Sequence, residues 1–218
     1  MDTAEVRRNL EQFTAATVRG RAVDSVVFSG VGAASRPDLP ELCAYARARG
    51  VRRLTLHAGV EDLEGLVAGA IPVDTLVLPL QAGESGSNLA SAARVLAAAR
   101  AAGLSTVANT ELSSGALPVL AGASRVARSQ GVGGVTFTYP FPIEGGHAAT
   151  APPPARAVAA LQRVVPGLAG AGVRVAIRGL PACLLGNLAA HAGKTGNRWY
   201  VDADHQGDKA LLFFPDVV

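Results

Sequence analysis

Six apolar runs of strand length alternate with helical stretches along this chain, and that alternation narrows the folds open to it more than any other feature. The runs are Val23–Ser29, Val51–His57, Val73–Leu80, Leu104–Thr110, Gly134–Tyr139 and Val173–Arg178. Between them lie Leu39–Arg49, Glu61–Ala70, Asn88–Ala102, Ala116–Gln130 and Ala155–Ala169, with the apolar spacing of helices. Strands that alternate strictly with helices return in the same direction each time, so the pattern predicts a parallel sheet with crossover helices. Upstream, Asp2 with Glu5 reads as a capping box, and Val6, Leu10, Phe13 and Thr17 share one face, which predicts an opening helix of about 17 residues. Downstream, the tail NRWYVDADHQGDKALLFFP holds two short strand-like runs around Gly207 and Asp208, which predicts a terminal hairpin. The expected organisation is a barrel-like body over residues 1–190 and a hairpin extension over 191–218 packed on it. Only Pro140–Pro154, PFPIEGGHAATAPPP, is long and irregular enough to act as a loop or lid over a site, with Glu144 and His147 as its chemistry-bearing residues.

At 218 residues and 49% hydrophobic content, the chain can bury one sizeable core. Its formal charge of +3 comes with 18 Arg, 2 Lys and few aromatic rings to stack on bases, and no long single-sign block, so nucleic acid is not an expected partner. The densest basic run, Arg47, Arg49, Arg52 and Arg53, falls where a helix ends, and is expected to cap the helix dipole in solvent. Cys43 and Cys183 make no disulfide framework, and the N-terminus shows no secretory pattern. The longest charge-free stretches are about 15 residues and contain Gly and Pro, short of the roughly 20 that span a bilayer. These features predict a cytoplasmic protein with no membrane span.

The stretch VVFSGVGAASRPDLPEL, a strand followed by a glycine loop and a helix start, first suggests a dinucleotide fold. In that fold the helix begins inside the glycine run. Here Ser35, Arg36 and Pro37 intervene, Asp38 stands as the cap of the next helix with Glu41 behind it, and the next strand ends in His57 where an acid is required. Taken whole, FSGVGAASRPDLPELCAYARARGVRRLTLHAG resembles the second βα unit and third strand of a radical S-adenosylmethionine (SAM) enzyme. That family reads Gly-Gly-Glu-Pro, then Arg-Pro-Asp-Leu-Pro-Glu-Leu, a helix, and a strand closing in Thr-Asn-Gly. The similarity continues at VDTLVLPLQAG, TFTYPFP and VRVAIRGLPACLLG, and covers nearly the whole chain. It implies a partial (β/α) barrel of about six parallel strands, lacking the first strand and the cluster loop. The departures fall on the family's chemistry. Two distant cysteines cannot supply the three thiolates of its iron–sulfur cluster, so no cluster is expected. Its Gly-Gly-Glu-Pro reads Gly30, Val31, Gly32 and Ala33 here, so Gly32 stands where the glutamate would hold the SAM amino group, and SAM is not expected to bind tightly.

Alternation along the strands sorts their side chains into two faces. Val26, Phe28, Leu54, Leu56, Leu76, Leu78, Leu80, Val135, Phe137, Val173, Val175 and Ile177 are expected to face the helices. The opposite parity carries Ser25, Ser29, Thr55, His57, Gln81, Asn109, Glu111, Thr136, Thr138 and Arg178, polar groups converging at the C-terminal strand ends. They predict a pocket for a small anionic ligand, with Glu111 and His57 as base and acid and Arg178 pairing a carboxylate or phosphate. Ser29, Gly30, Gly32, Gln81, Asn109 and Thr138 are the further ligand-binding candidates, and Tyr139 is expected to pack its ring while its hydroxyl reaches the loop. Asp202, Asp204, His205 and His191 match no established ligand spacing, so no metal site is expected. Two functions fit this reading: a cluster-free barrel doing non-radical lyase or isomerase chemistry on a small metabolite, or a non-catalytic pseudoenzyme. In the second, a partner protein or a second copy covers the edge strand 23–29.

Overall fold

The structure is a computed structural model that describes residues 2–15, 17–18, 21–30, 32–60, 72–80, 87–140, 150–193, 199–200 and 212–213. The expected helix Glu61–Ala70, most of the loop over 140–154, and the residues Gln81, Glu144, His147, Asp202, Asp204 and His205 lie outside them. Helix α1 (Thr3–Ala15) leads into a small antiparallel pair, β1 (Thr17–Val18) with β2 (Arg21–Ala22). The main body follows as β3 (Ser25–Phe28), α2 (Leu39–Ala48), β4 (Arg53–His57), β5 (Thr75–Pro79), α3 (Ser87–Ala101), β6 (Ser105–Glu111), α4 (Leu120–Ser129), β7 (Gly134–Thr138), α5 (Pro154–Gly170) and β8 (Arg174–Arg178). A short helix α6 (Ala182–Leu185) and a 3-10 segment (Gly186–His191) close it, and β9 (Trp199–Tyr200) pairs antiparallel with β10 (Leu212–Phe213), the two arms expected of the terminal hairpin. Among the described residues no helix is long and apolar enough to cross a membrane.

The six strands β3 to β8 form one parallel sheet in strict sequence order. The end of β4, His57, lies opposite Val77, two residues before the end of β5, and Pro79 at that end lies opposite Asn109, two residues before the end of β6. A stagger of this kind, repeated strand to strand, is the shear that curls a parallel sheet toward a barrel. From β6 to β8 the ends run level, with Glu111 opposite Thr138 and Thr138 opposite Arg178. The chain is therefore an α/β fold with an open, partial barrel of six parallel strands.

The helix-facing parity is sealed. Leu54, Leu56, Leu76 and Leu78 are fully buried, and Leu80, Ala108, Val135, Phe137 and Ile177 nearly so. Each large side chain buried this way contributes about 1.5–3 kcal/mol. Val26, Phe28 and Val175 pack against this core while partly exposed. On β6 the buried parity is mixed, Thr106, Ala108 and Thr110, and Thr110 satisfies its hydroxyl by donating to the Leu80 carbonyl at 3.2 Å.

Helix α1 is capped as its sequence predicts, with the Glu5 amide donating to Asp2 Oδ1 at 2.7 Å. It ends at Ala15, earlier than expected, because the β-branched Thr17 and Val18 enter the small hairpin rather than a further turn. Residues four apart on α1 meet α2 turn by turn. Thr3 Oγ1 donates to Asp38 Oδ2 at 2.6 Å, Arg7 pairs with Glu41, and Glu11 accepts from the Tyr45 hydroxyl and from Arg49, the latter at 2.8 Å. The Arg7 and Arg49 guanidinium carbons each lie 5.0 Å from the Tyr45 ring centre.

One local expectation gives way to these contacts, and another is extended by them. Asp38 precedes α2 but makes no side-chain cap, because Arg36 holds its carboxylate at 2.9 and 2.6 Å and Thr3 shares it. Of the arginines expected to cap a helix dipole in solvent, Arg47 lies in the last turn of α2 and donates to the Val51 carbonyl at 3.3 Å, and three also engage acids: Arg47 binds Asp74 at 2.7 Å, Arg49 binds Glu11, and Arg53 binds Asp24 at 3.0 Å. Asp74 also accepts from the Leu54 amide at 2.7 Å, tying the start of β5 to β4.

Arg36, with Thr3, holds the Asp38 carboxyl down to about 2. A depressed folded-state value means that its contribution is present above the unfolded carboxyl's pKa of about 4 and is lost as pH falls toward 2. Asp38→Asn is expected to lower stability near neutral pH by about 1–2 kcal/mol, the scale of a charged hydrogen bond in a partly exposed site. Urea midpoints of wild type and variant should then converge near pH 2, and a gap that persists there contradicts the role given to Asp38.

Candidate functional site

The unsealed face of the sheet carries the candidate residues, and the register sorts them into two groups. On one side Glu111, Thr138 and Arg178 occupy a single row across β6, β7 and β8, and the Thr138 hydroxyl donates to Asn109 Oδ1 at 3.2 Å. All four are partly buried. On the other side His57 ends β4, and Ser29, Gly30 and Gly32 follow β3. Val77 and Val107 connect His57 to a point four residues before Glu111. Two strand spacings and four residues separate the two side chains' backbones by about 10 Å across and about 13 Å along the sheet. The proposed base and acid therefore stand on opposite flanks of the trough.

The β6–β8 rim is held by backbone contacts that the sequence pattern does not announce. The Tyr139 amide donates to the Arg178 carbonyl at 2.8 Å, and the Leu112 amide to the Thr138 carbonyl at 2.8 Å, extending both ladders past the strands. The Tyr139 hydroxyl donates to the Pro152 carbonyl at 2.6 Å, as expected of a packed ring reaching the loop, and Ser114 donates its amide to the Thr150 carbonyl at 2.7 Å. The chain thus returns from the 141–149 segment directly onto this rim.

Two glycines support Arg178 by leaving room. Gly179 has φ +79°, and a Cβ there would stand 2.6 Å from the Tyr139 carbonyl oxygen, so no side chain fits without moving backbone. Gly193 donates its amide to the Ile177 carbonyl at 2.7 Å, beside the Ile177–Ala192 bridge that runs along the outer edge of β8. A Cβ at Gly193 would stand 3.0 Å from Arg178 Cγ, so the glycine lets the chain lie against the arginine stem.

The glycine loop is also defined. Gly30 and Gly32 have φ +110° and +74°, the left-handed region that suits glycine, and the Ser35 hydroxyl donates to the Gly32 carbonyl at 3.2 Å. A glutamate at position 32 would carry backbone strain as well as charge.

Cys43 is buried in α2, where burial pushes its thiol up to about 11, and Cys183 is exposed on α6. Among the described residues, no three His, Cys, Asp or Glu side chains group as metal ligands.

No family model and no curated protein matches this chain. Among solved structures it is similar to a provisionally assigned fructose-1,6-biphosphate aldolase from Coccidioides immitis, with 14% identity and a TM-score of 0.47 over 81% of this chain. The chain spans 64% of that neighbour's length.

Gly179→Ala is expected to cost about 3 kcal/mol or more, since it adds a backbone clash to the roughly 1–2 kcal/mol of left-handed strain. Gly172→Ala is the control: φ there is +77° but a Cβ meets nothing within 4 Å. It should cost only the left-handed strain, about 1–2 kcal/mol. Equal losses for the two in chemical denaturation would show that the close approach to Tyr139 does not constrain the rim.

Proposed function

We propose that this chain is a cluster-free, radical-SAM-like partial barrel that binds a small anionic metabolite in its polar trough and performs non-radical acid/base chemistry of the lyase or isomerase type. The observation that supports it is the Glu111–Thr138–Arg178 row, in which a carboxylate and a guanidinium flank a hydroxyl already oriented by Asn109. In this reading Arg178 pairs the ligand's anionic group, because a guanidinium fork matches a carboxylate or phosphate in both geometry and charge. Thr138 and Asn109 orient the neighbouring polar groups, and Glu111 takes a proton from the ligand. His57 donates a proton only to a ligand long enough to cross the trough, given the separation above. SAM fits this site poorly: Gly32 offers no carboxylate to its amino group, which forfeits about ten- to a hundredfold in affinity. The setting that suits such a protein is the cytoplasm, in specialised metabolism.

A second reading rests on a different observation. Val27 on the edge strand β3 is 49% exposed, and among the described residues β3 pairs with β4 alone. An open, apolar strand edge is a template for another chain. In this reading the protein is a non-catalytic pseudoenzyme whose β3 edge is covered by a partner protein or a second copy.

Glu111→Gln keeps shape and most hydrogen bonds while removing the base. In a screen of small carboxylates and phosphorylated acids, turnover of any ligand that binds is expected to fall by roughly a hundredfold with little change in affinity. Arg178→Leu is expected to lower binding by about a hundredfold or more, because it strands the ligand's charge in the trough. Both variants leaving ligand binding and turnover intact would contradict the trough reading, and a stoichiometric hetero-complex lost on Val27→Asp would favour the second.

A further inference from the structure

The outer helical layer carries an excess of positive charge that the trough does not use. Helices α3, α4 and α5 carry Arg94, Arg100, Arg125, Arg128, Arg156 and Arg163 and no acid, whereas residues 1–84 of the sequence hold eleven acids and nine bases. The pairs Arg7–Glu41, Arg36–Asp38, Arg47–Asp74, Arg49–Glu11 and Arg53–Asp24 lie in that first part, and α4 and α5 contain no acidic residue. Arg125 and Arg128 of α4 and Arg163 of α5 line one cleft between these helices, about 200 Å³ in volume, whose apolar wall is Val164 and Leu168. None of the three makes a hydrogen bond or ion pair among the described residues. Arg128 reaches across to α5: its Nη1 lies 3.9 Å from the point where a Cβ on Gly167 would stand.

Independent of the charge, Ser124 lines the same cleft. It is 9% exposed, and its Oγ has no hydrogen-bond partner. A helical serine ordinarily returns its hydroxyl to a carbonyl one turn back or exposes it to water, and an unpaired buried hydroxyl is destabilising. Turned about χ1 toward the cleft, the hydroxyl can donate to an acceptor atom seated there, which removes that deficit.

We propose that the α4–α5 cleft is an oxyanion site that takes the phosphate group of a small phosphorylated ligand, held by Arg125, Arg128, Arg163 and the Ser124 hydroxyl. Three guanidinium groups and a hydroxyl approaching from two helices suit a tetrahedral dianion, with its several acceptor oxygens, better than a planar carboxylate that one fork saturates. The cleft, about 200 Å³, has room for a phosphoryl head and is smaller than pockets for whole drug-sized ligands, about 300–1,000 Å³. It opens to solvent between two helices, and the few basic groups that line it favour a small phosphate over a nucleic-acid backbone. The site lies on the outer layer, so it stands or falls separately from the trough.

The test is calorimetric titration of the full chain with inorganic phosphate and with pyrophosphate at moderate salt. Saturable binding is expected with a dissociation constant of about 1 mM or tighter. Arg128→Gln and Arg163→Gln are each expected to weaken it about tenfold, the effect of losing one charge-assisted contact. Ser124→Ala should weaken it about threefold or more while leaving the melting temperature level or raised, because no internal hydrogen bond is lost. Arg94→Gln, on α3 outside both the cleft and the trough, should leave phosphate affinity unchanged, which separates a specific site from general surface charge. No saturable binding, affinity insensitive to the two arginine substitutions, or affinity lost as much with Arg94→Gln would overturn the proposal. So would tight, salt-sensitive binding of a DNA duplex that phosphate and pyrophosphate fail to compete away.

Discussion

The structure depends on burying one face of a parallel sheet. Leu54, Leu56, Leu76, Leu78 and Leu80 on β4 and β5, continued by Ala108, Val135, Phe137 and Ile177, form a sheet surface that the helices cover. Side chains alternate across a strand, so sealing that face fixes the direction of every other residue as well. The opposite set, Asn109, Glu111, Thr138 and Arg178 among it, has nowhere to go but the trough. A one-residue slip in any strand would bury these polar groups against leucines, a cost that the apolar face enforces against. The polar trough thus follows from the apolar packing behind it.

The rim that holds the trough's charged groups is maintained by backbone more than by side chains. Tyr139 and Leu112 extend the ladders past the strand ends, Gly179 allows β8 to turn against Tyr139, and Gly193 allows a following segment to lie along Arg178. These contacts place a long, entropically costly arginine beside a fixed wall, which lowers the ordering cost of any anion it binds. At the opposite flank Gly30 and Gly32, after β3, take left-handed turns and present no acid to the trough.

The sequence discloses faces more readily than positions along them. The six strands are legible as apolar runs, and their parity wherever a period of two survives, which β6 breaks by burying Thr106, Ala108 and Thr110; the helix boundaries follow from the interruptions. Parity says nothing about stagger, so Glu111 and His57 read as partners although the register sets them on opposite flanks. Long-range contacts are equally silent: Asp38 looks like a helix cap until Thr3, 35 residues upstream, and Arg36 claim its carboxylate. Gly179 and Gly193 carry no motif, and their role appears only when Tyr139 and Arg178 lie beside them. The α4–α5 cleft has a faint sequence signal, the scarcity of acids after residue 84, but helix periodicity alone does not bring Arg128 and Arg163 together.

The central claim is that the trough between β6 and β8 is a ligand site rather than an inherited polar surface. The most direct measurement is a crystal structure of the protein purified without added ligand, followed by soaking in the small acids that stabilise it in thermal melts. The account predicts an anionic molecule with its charged group on Arg178 and a polar atom within hydrogen-bond distance of Glu111 or Thr138. A trough that holds only water under every condition, or one filled by a partner chain added across the β3 edge, would contradict it.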